Sequence, residues 1–270
     1  MKYTVGSVPY LNAKPLVKPF QWAGAESPVQ VVFDVPSRLP ALLDSGGVQA
    51  IMVSSYAALT TPGATVAAGL SIGTQREVLS VRLFSKVPFA RIRTLAEDAS
   101  SMTSNALARI ILSERFDVLP SGGPAAPSLT SMLAENDACV LIGDNGMRAD
   151  ESELHVLDLG FEWFQLTELP FVWAVWMGGE ELTPQLVTYL QGALVTSRAD
   201  LARVIREASA ETGFTLEQCR RYLQDIMDYR LDDAHQAGLR EYGRMLFKHG
   251  LASAVEFPRI VDAQTALSNA

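Results

Sequence analysis

Cysteine is almost missing from this chain. Cys139 and Cys219 are the only two of 270 residues, they lie in unrelated segments, and neither belongs to a C-x-x-C pair, so disulfide scaffolds and cysteine-rich metal sites are excluded and both read as reduced structural thiols. Histidine is as scarce. His155, His235 and His249 stand far apart without H-x-x-x-H or His/carboxylate spacing, which removes support for a zinc site or a histidine-based triad; His235 and His249 are expected on solvated helix faces. Positive charge is outnumbered, 22 Lys and Arg against 30 Asp and Glu for a net charge of −8, and no basic cluster reverses the balance locally, so a nucleic-acid surface is not expected. No G-x-G-x-x-G or G-x-x-x-x-G-K-[ST] cradle is present. No run approaches about 18 apolar residues and the first residues carry no apolar leader core, so the expectation is a cytoplasmic protein without a membrane partner.

What is present is enough apolar material for a large core. Hydrophobic residues make up 48% of the chain and charged ones 19%, and the length suits two domains or one large one. Strand-like runs at residues 3–8, 29–35, 49–53, 78–85, 138–142, 154–158 and 171–177 alternate with helical segments such as 37–45, the pattern of layered α/β folds. The last third changes period. Segments 184–208, 215–228 and 232–249 carry apolar residues at helical spacing, with Thr215 and Gln218 as a capping box and Gly250 following the last turn. The breaker-rich stretch 120–127 reads as a loop, and no internal repeat is found.

The polar residues that interrupt these elements define a candidate site. In the opening GSVPYLNAKPL, Asn12 follows the first strand and Pro15 suits a first helical turn, so Asn12 is read as an N-cap at the carboxyl end of that strand, where open α/β sheets bind ligands. Hydroxyl residues recur at comparable places: Ser54 and Ser55, then Ser80, then Ser101, Thr103 and Ser104 ahead of an amphipathic helix. Backbone N–H groups and the positive dipole end at such a start suit a carboxylate. Taken singly, each hydroxyl is accounted for as a helix cap.

Six motifs in order carry a family resemblance. Val5-Gly6-Ser7-Val8-Pro9-Tyr10-Leu11-Asn12 with Pro15-Leu16, Val53-Ser54-Ser55, the strand from Ser80 to Ser85 followed by Val87-Pro88, Asp98-x-x-Ser101-x-Thr103-Ser104, Leu141-Ile142-Gly143-Asp144, and Leu169 to Trp176 together resemble the chorismate dehydratases of the futalosine route to menaquinone. Pro9, Lys14 and the 120–127 stretch depart from the family pattern. The resemblance implies a two-lobed, periplasmic-binding-protein-like type II α/β fold with a ligand cleft. Lobe one would comprise residues 1–86 and 178–270, and lobe two residues 87–177.

It further implies a hydro-lyase that removes water from chorismate to give 3-[(1-carboxyvinyl)oxy]benzoate, with no metal or other cofactor. Asn12 would be catalytic, and Ser54, Ser55, Ser80, Ser101, Thr103, Ser104 and Asp144 would bind the dicarboxylate. The base is left between Asp144 and a carboxylate of the substrate. Alternatives are the sister enzyme that forms a dihydroxynaphthoate, which opens with a Ser-Pro-Cys-Pro-Asn-Asp type motif that this chain lacks; a non-catalytic small-anion-binding protein; and a sensor domain, which would be joined to a helix-turn-helix.

Overall fold

The computed structural model describes residues 2–36 and 38–264. Strand β1 (Tyr3–Ser7) runs into a short 3-10 turn and helix α1 (Lys14–Ala23), followed by β2 (Val29–Phe33), α2 (Leu39–Asp44), β3 (Ala50–Ser54), α3 (Ser55–Thr60) and the long β4 (Thr65–Thr74). The chain then builds a second sheet. This comprises β5 (Arg82–Ser85), β6 (Thr94–Asp98), α4 (Met102–Phe116), β7 (Ser121–Ala125), α5 (Leu129–Glu135), β8 (Ala138–Leu141), α6 (Gly143–Arg148), β9 (His155–Asp158) and α7 (Leu159–Thr167). It returns through β10 (Phe171–Gly178) to a helical layer of α8 (Pro184–Ala199), α9 (Leu201–Thr212), α10 (Leu216–Arg220) and α11 (Asp233–Lys248), with short strands β11 (Met227–Asp228) and β12 (Arg259–Val261).

The first sheet has seven strands, ordered β11-β4-β10-β3-β1-β2 with β12 also on β4, and the second has five, ordered β7-β6-β8-β5-β9. β1, β2 and β3 are mutually parallel, and β10 inserts antiparallel between β3 and β4 with Val175 opposite both Val53 and Ser71. Two sheets joined by two crossings give two lobes. The crossings fall earlier than expected: β5 pairs with β8 and β9 in the second sheet, and β10 lies inside the first. The bounds of lobe one at residues 86 and 178 are corrected accordingly, because backbone pairing, which sequence period does not reveal, decides membership of a sheet.

Other expectations are also corrected. Residues 120–127 hold strand β7, paired in parallel with β6 from Thr94↔Ser121 to Asp98↔Ala125. It is an edge strand, where proline is tolerated. Its Gly122 sits at φ +125°, and a Cβ added there would lie only 2.2 Å from the Leu95 carbonyl oxygen, so only glycine lets the two strands approach. The segment 184–208 is two helices, split at Asp200, which caps α9 through the Arg203 amide. His235 is fully buried between Asp228 and Asp232 rather than solvated, and His249 is mostly covered beside Glu114. Both histidines have carboxylate partners, so the helix faces that carry them are packed.

The core is continuous across the crossings. Trp163 of α7, Phe171 and Trp173 of β10 and Tyr242 of α11 stack with centroid distances of 5.2 Å (Trp163–Phe171), 4.3 Å (Phe171–Trp173) and 5.0 Å (Phe171–Tyr242). Aromatic packing of this kind adds to the burial term and stiffens the join between lobes. Among the described residues, no helix is long and apolar enough to cross a membrane, and no group of three His, Cys, Asp or Glu side chains is placed to hold a metal ion.

Candidate active site

The carboxyl ends of β1 and β3, the loop before β5 and the starts of α4 and α6 converge on one cleft with about 700 Å³ of free space, open solvent included. Valine, isoleucine and methionine side chains with Trp173 make its apolar walls; Tyr10, Asn12, Ser54, Ser80, Ser100, Ser101, Thr103 and Ser104 supply its polar groups. None of the described lining residues bears a charge. The polar groups it offers are hydroxyls, an amide and backbone N–H groups.

Asn12 reaches the cleft from the 3-10 turn Leu11–Ala13, which separates β1 from α1. The N-cap of α1 is Ala13, without a side-chain hydrogen bond, so the reading of Asn12 as a cap is corrected: the extra turn moves the helix start past it. Its backbone carbonyl accepts from the Tyr229 hydroxyl at 3.0 Å. Its side-chain Oδ1 is buried and has no partner among the described residues, an exception to the usual satisfaction of buried polar atoms.

Ser80 is delivered by a strained turn. Leu79 stands at φ 60°, the Ser80 amide donates to the Val78 carbonyl at 2.7 Å, and Asp158 holds the loop by accepting from the amides of Val78 (3.0 Å) and Leu79 (2.7 Å). A leucine in this region costs on the order of 1–3 kcal/mol and persists only where surrounding contacts impose it. The Asp158 carboxylate, which also caps α7, is such a contact. The Tyr222 hydroxyl donates to Ser80 Oγ at 2.8 Å.

The hydroxyl cluster of lobe two sits at the start of α4. Ser101 Oγ accepts from the Ser104 amide at 3.1 Å and donates to Ser104 Oγ at 2.8 Å, which caps the helix. The amides of Met102 and Thr103 are the remaining first-turn donors. Asp98, buried behind them, accepts from the Ser100 amide at 2.9 Å and the Ile142 amide at 3.2 Å, so one carboxylate ties the start of α4 to that of α6. Thr103 Oγ1 accepts from the Tyr56 amide of α3 at 2.9 Å, and its carbonyl accepts from the Tyr242 hydroxyl at 3.0 Å. Both bonds cross between the lobes. Tyr10 faces this cluster, and its phenol is held above its usual range by burial and by the nearby Asp98 charge, so at neutral pH it is a proton donor.

Of the eight residues singled out from sequence, Asn12, Ser54, Ser80, Ser101, Thr103 and Ser104 line the cleft. Ser54 also caps α3 through the Ala57 amide at 3.3 Å. Ser55 and Asp144 are not among the lining residues. Ser55 is fully buried and gives its hydroxyl to the Val172 carbonyl; Asp144 lies near Arg148 and Lys14, and burial raises its pKa against the pull of those cations. Helix α6, which carries Asp144, packs against the Asn12 turn from lobe two. Sequence reasoning passed over Tyr10, Trp173, Tyr222 and Asp158. The first two stand inside the ordered motifs, whereas Tyr222 lies in the segment 215–228, whose only sequence signal is its helical period.

Two lobes of α/β structure closing on a neutral, hydroxyl-lined cleft define the periplasmic-binding-protein class of fold. The chain is similar to the periplasmic aliphatic sulphonate binding protein SsuA of Escherichia coli (TM-score 0.66, 13% identity, 100% of this chain and 96% of that one). It is similar also to a protein of Archaeoglobus fulgidus (TM-score 0.70, 17% identity, 93% and 98%). In sequence, residues 3–248 match the family described as menaquinone biosynthesis. The chain belongs to that family. It is 28% identical to the chorismate dehydratase of Thermus thermophilus, covering 90% of this chain and 95% of the relative.

Proposed function

We propose that this protein is a chorismate dehydratase, a hydro-lyase that converts chorismate into 3-[(1-carboxyvinyl)oxy]benzoate without a cofactor. The observation that carries the reading is the composition of the cleft: the Asn12 side chain, whose buried Oδ1 has no partner among the described residues, opposite hydroxyls and first-turn donors, in a wall without charge. Family membership and the likeness to the Thermus thermophilus enzyme support it. Cys139 and Cys219 are both free and buried, compatible with a reducing compartment, and we place the enzyme in the cytoplasm.

The substrate is a small dicarboxylate. One carboxylate fits the first-turn donors of α4 with Ser101, Thr103 and Ser104, where backbone N–H groups and the helix dipole favour an anion. The leaving hydroxyl then lies toward Asn12 and Ser80, both able to donate hydrogen bonds as negative charge develops on oxygen. A base must take the ring proton. No Asp, Glu, His or Lys side chain is among the described lining residues, so we assign the base to a carboxylate of the substrate. It takes the proton from the ring carbon, the C–H electron pair becomes the new ring double bond, and the neighbouring C–O bond breaks. The departing hydroxide recovers that proton as water. Aromatisation makes the sequence downhill, and the cleft contributes position and donors.

Incubation of the purified protein with chorismate, free of added metal or nucleotide, tests the reading. An aromatic product accumulating over many turnovers is expected; chorismate bound but unchanged would instead indicate a solute-binding protein.

A further inference from the structure

One strongly buried group beside the cleft has no part in the chemistry just described. Tyr222 is 1% exposed, and it hangs from a π-type turn, Arg221–Ile226, that interrupts the C-terminal helical layer between α10 and β11. Turns of this kind are uncommon and occur often at functional sites, because one extra residue per turn redirects a side chain. Here the turn sends Tyr222 down between the two groups that face the leaving hydroxyl. Its hydroxyl donates to Ser80 Oγ at 2.8 Å, and the turn that carries it packs against the turn Leu11–Ala13 that carries Asn12. A few residues on, after the turn gives way to β11, Tyr229 holds the Asn12 carbonyl at 3.0 Å.

The direction of these bonds fixes where the Ser80 proton points. A serine hydroxyl has one proton and two acceptor sites. With an acceptor site of Ser80 occupied by the Tyr222 proton, and no hydrogen bond from Ser80 Oγ to another group found among the described residues, the Ser80 proton is left to point into the cleft. Without Tyr222 the same hydroxyl is free to rotate and present a lone pair, the wrong polarity for a departing hydroxide.

We propose that Tyr222 is the positioning residue of this site, a buried phenol that orders the Asn12 amide and polarises Ser80 so that both present donors to the leaving oxygen. The proposal rests on the reading of the cleft as a chorismate-dehydrating site. Tyr222 itself touches no substrate, so its effect belongs to the transition state rather than to binding.

The test uses Y222F, which keeps the ring and removes the hydroxyl. Its kcat is expected to fall about 10–100-fold, below the scale of losing a transition-state donor outright, with KM within about twofold and the melting temperature nearly unchanged. S80A/Y222F should be no slower than S80A alone, since residues acting in one chain are not additive. Additive losses, or a KM rise that matches the kcat fall, would overturn the proposal. A second readout needs no substrate: the side-chain amide resonances of Asn12, assigned by their disappearance in N12D, should move in Y222F. Unmoved resonances overturn the role of Tyr222. If the wild-type protein leaves chorismate intact, the substrate assignment fails, and the amide shift alone then supports or overturns the positioning role.

Discussion

At the scale of single residues, Asn12 decides what kind of site this is. Because the 3-10 turn takes over the junction with α1 and no side-chain cap bond is made there, the amide contributes little to the helix start. Asn12→Asp is therefore expected to melt within a few degrees of wild type. It should lose roughly two to three orders of magnitude in kcat, the scale seen when a transition-state donor is removed, because the new carboxylate cannot donate and sits beside a dianion. Steady-state kinetics together with a thermal melt separate this outcome from a structural role, in which the melt would move and kcat would not. The position of Asn12 at the cleft was legible in the sequence from its place after β1, while its independence of helix capping was not. One extra turn of backbone decides that, and residue type does not encode it. Ser55 shows the same limit: it is adjacent to Ser54 and chemically identical, but the strand-to-helix bend points one into the cleft and the other at the Val172 carbonyl.

At the scale of elements, the join between β4, β11 and α11 depends on an ion cluster that sequence spacing concealed. His235 Nδ1 lies 2.6 Å from Asp232 and Nε2 lies 3.3 Å from Asp228, which also bonds Gln75 at 2.7 Å and Arg230. Burial pushes the imidazole toward neutrality, but the hydrogen bonds to Asp228 and Asp232 outweigh it and hold His235 above its ordinary range. The charged form is the one the fold favours. Its contribution is complete below the unfolded value of about 6.5 and is lost as pH rises through the folded value. His235→Gln should thus cost on the order of 1–3 kcal/mol at acidic pH, the penalty for leaving a buried partner unmatched, and the gap to wild type should narrow in alkaline buffer. Chemical denaturation at two pH values checks this, and an equal gap at both would contradict it. The elements themselves were legible where a short apolar run is bounded by polar or turn residues, as in β3 and β10. β4 escaped because alanines, hydroxyl residues and two glycines, Gly69 at φ +71°, break up the apolar run of Thr65–Thr74. β7 escaped because its edge position admits the glycines and proline that read as a loop.

At the scale of the whole molecule, the cleft exists only because two sheets close on each other, and Thr103 is at the seam. Its Oγ1 accepts the Tyr56 amide across the lobes, so the same side chain lines the ligand space and fastens it. Thr103→Val removes the acceptor at nearly constant shape, and it should both lower the melting temperature by a few degrees and raise KM, whereas Thr103→Ser should restore both. A variant that changes neither would mean that the lobes are held elsewhere, for instance by the bond from Arg148 of α6 to the Thr212 carbonyl of α9. The two-lobed plan was legible from ordered motifs more than from periodicity, since the crossings between sheets leave no compositional mark. What the assembled cleft does is the central claim, and the mass of the product tests it most directly. Wild-type protein given chorismate should yield a single aromatic compound lighter than the substrate by one water and still carrying its enolpyruvyl group; a product of unchanged mass, release of pyruvate, or chorismate recovered intact would contradict the account.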